Sequence, residues 1–63
     1  MKGRNIVLPK DPAILLSVIN TKLRDFYPNL DALCDDLEED KQTISESLAK
    51  IGYKYCEKLN RFI

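Results

Sequence analysis

Apolar residues recur along this chain at helical spacing in three blocks, and residues that stop helices separate the blocks. Leu15, Val18, Ile19, Leu23 and Phe26 form one stripe, with Ile14 at its edge. Asp11 followed by Pro12 starts that helix well: the carboxylate accepts an orphan amide, and proline has its φ preset and no N–H to leave unbonded. Pro28 ends it, because Tyr27 before it is pushed out of the α region. A first helix is therefore predicted over 11–26. Leu30, Leu33, Cys34 and Leu37 fall at i, i+3, i+4 and i+7 and predict a second helix over 29–38, capped by Asn29. Ile44, Leu48 and Ile51 predict a third over 40–52, capped by Asp40 and closed by a left-handed Gly52. Glu38 to Asp40 leaves room only for a tight turn between the last two.

After Gly52 the helical stripe is lost. Tyr53, Lys54 and Tyr55 alternate, a polar loop follows, and the chain ends Arg61, Phe62, Ile63. Asn60 tolerates a left-handed backbone, so 53–63 is predicted as a β-hairpin with Cys56 to Asn60 as its loop. The competing outcome is a fourth helical turn, since Glu57, Lys58 and Leu59 do not resist helix. Residues 1–10 are expected to form an extended arm. The fold class is mainly α: a single domain over 1–63, three helices and a short C-terminal hairpin. Its expected core is Leu15, Val18, Ile19, Leu23, Phe26, Leu33, Cys34, Leu37, Ile44, Leu48 and Ile51. A chain of 63 residues buries only ~60% of its unfolded surface, so modest stability and no large enclosed pocket are expected.

Net charge is zero, but the charges are sorted along the chain. Lys2, Arg4 and Lys10 precede any acid; Asp31, Asp35, Asp36, Glu38, Glu39 and Asp40 form a purely acidic block; Lys50, Lys54, Lys58 and Arg61 then stand against a lone Glu57. The folded molecule should carry one acidic and one basic face. The apolar run Ile6 to Leu8 is far short of the ~7–15 residues of a secretory signal, so a cytoplasmic protein with no membrane partner is expected.

With two cysteines and no histidine, four soft ligands for a structural zinc ion cannot be gathered from one chain. Cys34 reads as a small core residue and Cys56 as an exposed turn residue, both free thiols. Calcium is excluded as well. Asp36, Glu38 and Asp40 copy the first alternating ligands of an EF-hand, yet Lys41 stands at the required glycine and Ser47 at the closing glutamate. No pair of side chains has the spacing of a nucleophile and its base, so no catalytic residue and no cofactor are expected, and the protein is read as non-enzymatic.

The order of three helices and a hairpin resembles a compact winged helix-turn-helix domain. The run KQTISESL, Lys41 to Leu48, is similar to the start of recognition helices in bacterial repressors. That resemblance implies that Lys41, Gln42, Ser45 and Glu46 face the major groove, while Ile44, Ser47 and Leu48 face the core. The chain departs from the pattern at Glu38, where glycine is usual, and at Glu39, where a buried aliphatic is usual; a carboxylate there must reach solvent. Glu46 stands where a cation or an amide would meet DNA. Over nearly its whole length the chain also resembles a family of very short bacterial proteins classed only as a domain of unknown function. LPKDP, INTKLRD, LDALCDDL, IGYKY and LNRF carry that likeness, which implies a free-standing bacterial domain and transfers no site.

Two functions follow as expectations. The first is binding of double-stranded DNA, with Lys41, Gln42, Ser45, Glu46, Lys50, Lys54, Lys58 and Arg61 as contacts and a homodimer formed through Tyr27, Tyr53 and Tyr55. The alternative is a protein interaction module, in which Asp31, Asp35, Asp36, Glu38 and Glu39 dock a basic partner, or the basic C-terminus of one copy docks the acidic face of another. Zero net charge fits the second better, since nucleic-acid readers are generally basic.

Overall fold

The computed structural model describes residues 8–63. Within them the chain forms α1 (Pro12–Asp25), α2 (Leu30–Leu37), α3 (Lys41–Ala49), β1 (Tyr55–Cys56) and β2 (Arg61–Phe62). Of the expected N-terminal arm, residues 8–10 are neither helix nor strand, and Leu8 packs against the core. Lys2, Arg4, Ile6 and Val7 lie outside the described residues.

All three helices begin as their side chains dictate. Asp11 accepts from the Ala13 amide at 2.9 Å, Asn29 from Ala32 at 2.7 Å and Asp40 from Gln42 at 3.0 Å. Each such cap contributes about 1 kcal/mol by satisfying an amide that has no partner inside the helix.

The C-terminal ends differ. At α3, Gly52 (φ 84°) lets its own amide reach the Ala49 carbonyl at 3.0 Å and the Tyr53 amide reach Leu48 at 3.0 Å. These two bonds are those of a Schellman cap, which needs a left-handed residue at Gly52. The end of α2 repeats the same pair of bonds, Glu38 to Asp35 and Glu39 to Cys34, with Glu38 as the left-handed residue at φ 56°. The helices are shorter than the sequence suggests because these caps consume residues at 38 and at 50–52.

The hairpin is antiparallel, pairing Tyr55 with Phe62 and Cys56 with Arg61. Lys54 and Ile63 extend the ladder with reciprocal bonds of 3.0 and 2.9 Å. Cys56 thus belongs to β1 and is half-buried, and the loop is Glu57 to Asn60 rather than Cys56 to Asn60. Two strands of this length are not stable by themselves. Phe62, 2% exposed, anchors them by inserting among the helices, and its ring lies 5.5 Å from that of Tyr55 in a tilted arrangement.

The buried core is Leu15, Ile19, Leu23, Leu30, Leu33, Cys34, Leu37, Ile44, Leu48 and Phe62. Three expected members are displaced. Phe26 is 71% exposed because α1 stops at Asp25 and the helical projection no longer applies to its cap; half-buried Tyr27 packs on the core next to it. Ile51 is 39% exposed, since it lies in the α3 cap rather than in the helix. Val18 is only half-buried, at the edge of the α1 stripe. α1 is the central element, in contact with α2, α3 and β2.

Candidate interaction surfaces

Polar bonds between distant parts of the sequence tie the helices to the hairpin. The Asn20 side chain sits one helical turn from Leu16 and Leu23; its Nδ2 donates to the Phe62 carbonyl at 3.1 Å and its Oδ1 accepts from the Phe62 amide at 2.8 Å. Because Lys54 and Ile63 exchange both bonds, the neighbouring Phe62 directs its amide and carbonyl away from β1. Asn20 takes the place of a third strand there. Asn60, left-handed at φ 53°, donates to the Leu23 and Tyr27 carbonyls at 3.0 and 2.9 Å, and so caps the end of α1. Its Oδ1 accepts from the Tyr55 hydroxyl at 2.7 Å, and that hydroxyl accepts from the Leu30 amide at 3.2 Å. This network escaped sequence reasoning, though an asparagine at i+4 from Leu16 and i−3 from Leu23, on an otherwise apolar face, was a usable signal.

Three of the depressions among the described residues hold most of the candidate contact residues. The first lies at the corner where α2 turns into α3. A depression of about 430 Å³ is lined by Cys34, Asp35, Glu38, Glu39, Asp40 and Lys41. Lys41 is the only cation between Asp31 and Glu46 in sequence, and its ammonium meets Asp31 at 3.0 Å. That hydrogen bond and the charge of Asp31 hold the Lys41 ammonium above the usual lysine range. Burial, with the negative charge of Asp31, pushes the Cys34 thiol up, so it stays protonated and inert at neutral pH. Asp36 accepts from the Tyr27 hydroxyl and leans toward the α1–α2 loop.

The second surface runs between α3 and the hairpin, a cleft of about 310 Å³ that includes Gln42, Ser45, Glu46, Tyr53, Lys54 and Phe62. Gln42 Nε2 donates to Glu46 across one helical turn at 3.2 Å. The third lies between α1 and β2 and is the most spacious at about 640 Å³; Arg24, Leu59 and Arg61 stand around it with Ser17, Asn20 and Thr21. Arg24 holds Asp25 through Nε and Nη2 at 2.9 and 3.0 Å, which raises the guanidinium and lowers the carboxyl from their ordinary pKa values.

The residues expected to touch DNA therefore stand in different places. Gln42, Ser45, Glu46 and Lys54 share the α3–hairpin cleft; Lys41 belongs to the acidic corner and Arg61 to the α1–β2 cleft. Lys50 and Lys58 are exposed, at the end of α3 and in the hairpin loop. Of the acids expected to take a protein partner, Asp35, Glu38 and Glu39 share the corner depression, Asp31 lies on its Lys41 side and Asp36 is turned to Tyr27. Cys34 and Cys56 are free thiols. Among the described residues no group of acids and cysteines is arranged to hold a metal ion, and no helix is long and apolar enough to cross a membrane.

No curated protein and no solved structure is significantly similar to this chain. A family model does match, over residues 9–62, from the proline that precedes α1 to the core phenylalanine of β2, and by that match the chain belongs to the family described as Domain of unknown function (DUF4250).

Proposed function

We propose that this domain is a non-enzymatic interaction module that docks a basic protein segment on the acidic corner of α2 and α3. One observation carries the reading. Asp35, Glu38, Glu39 and Asp40 surround a single depression whose only cation, Lys41, is already engaged by Asp31. Asp40 caps α3, but the helix dipole disfavours two of the others. Asp35 and Glu38 lie at the C-terminal, negative end of α2, where an acid is disfavoured by about 0.3–1 kcal/mol and a cation would be preferred. The same corner would face the phosphates if α3 entered a DNA groove, because the N-terminal part of a recognition helix approaches the bases.

The test is a titration with a lysine-rich peptide at low and high salt. Binding should weaken as salt rises and be lost in the Asp35→Asn/Glu39→Gln double variant. Peptide binding that ignores both changes would remove the reading.

Duplex DNA binding is the second reading, and the α3–hairpin cleft favours it: Gln42 and Glu46 are exposed there with Lys54 on the facing hairpin. On that reading Glu46→Gln tightens duplex binding and Lys54→Ala weakens it. A protein that shifts no duplex at low salt would eliminate it.

A further inference from the structure

The α1–β2 cleft is chemically the counterpart of the acidic corner. Arg61 has no ion pair among the described residues. Arg24 spends Nε and Nη2 on Asp25 and keeps Nη1 for another acceptor. Leu59 stands 52% exposed beside them, an apolar side chain flanked by guanidinium groups. Arginine is enriched at interface centres, and a guanidinium takes carboxylates in bidentate fashion. The Ser17 and Thr21 hydroxyls on α1 add two neutral hydrogen-bonding groups to the wall.

We propose that the occupant of this cleft is the acidic α2–α3 turn of a second copy of the chain. This rests on the preceding reading of the acidic corner as a docking surface, and it names the basic partner. Glu38 and Asp40 are exposed on that turn, and Asp35 lines the same depression. Zero net charge leaves no overall repulsion between copies, so sorted charges of opposite sign decide how two molecules approach. The two complementary surfaces are different parts of one chain. Met reciprocally, the two surfaces give a two-fold dimer; met head-to-tail, they give a ring or an open filament. A turn in a cleft buries less than the ~800 Å² per partner of a stable interface, so assembly depends on concentration.

Sedimentation velocity across a hundredfold concentration range, at low and at high salt, tests this directly. The parent chain should sediment faster as concentration rises at low salt, and the shift should vanish at high salt. Arg61→Glu and Asp35→Lys/Glu38→Lys should each sediment as monomers with unchanged helical circular dichroism, while their equimolar mixture regains the faster species. That rescue by mixing is not available to variants that have merely unfolded. A parent monomeric at every concentration overturns the proposal, as does an Arg61→Glu variant that associates like the parent. A monomer that binds inorganic phosphate through Arg61 also overturns it, assigning the cleft to a small anion. If the parent stays monomeric yet binds the lysine-rich peptide through Asp35 and Glu39, only the second-copy occupant fails; if it binds neither, the docking reading fails too.

Discussion

α1 and α2 end by different means, and the difference separates what a helix does locally from what the fold does for it. The last carbonyls of α2 are satisfied within five residues, by the amides of Glu38 and Glu39. That solution requires a left-handed glutamate, a conformation that crowds Cβ against the carbonyl and costs roughly 1 kcal/mol or more. The end of α1 has no left-handed residue. Its cap, Phe26, has φ −126°, and the carbonyls of Leu23 and Tyr27 receive their bonds from Asn60, on the far side of the sequence. Asn60 is also left-handed, but its side chain is bonded at both ends, whereas that of Glu38 points into solvent at the acidic corner. Two residues of one backbone type thus have opposite relations to stability.

Replacing each by glycine separates the two roles. Asn60→Gly keeps the backbone conformation and removes three hydrogen bonds, leaving the Leu23 and Tyr27 carbonyls and the Tyr55 hydroxyl short of partners. Urea unfolding should show a loss of about 2–4 kcal/mol, at about 1 kcal/mol per bond. An unchanged midpoint would mean that water replaces the side chain at no cost. The effect of Gly52→Ala is smaller. It forces a Cβ onto a residue at φ 84°, where no other atom lies within 4 Å, so the loss of roughly 1 kcal/mol seen in a thermal melt would be backbone strain alone. Glu38→Gly should be the smallest and of opposite sign, a gain of up to about 1 kcal/mol, because relief of strain exceeds the entropy glycine adds to the unfolded chain. A destabilised Glu38→Gly protein would show that the glutamate side chain contributes to folding and is not retained for docking alone.

The three helices, their order and all three N-terminal caps were legible from the residues alone. Each of these depends on residues within one or two turns of one another: Asp11 with Pro12, Asn29 before the Leu30 stripe, Asp40 before Ile44. Gly52 and the hairpin were legible for the same reason, and so was the sorting of charge that underlies the acidic corner. Where the stripes give out is a matter of three-dimensional packing. Phe26 and Ile51 continue their periodicities on paper but fall in caps, where the 100° rotation per residue no longer holds, and Phe62 fills the core in their place. Packing also decided the roles of Asn20 and Asn60, since an amide that completes a strand or caps a helix some forty residues away leaves no periodic trace. Arg24, Leu59 and Arg61 form one cleft only because β2 packs on α1, and that pairing follows from burying Phe62, which no local pattern encodes.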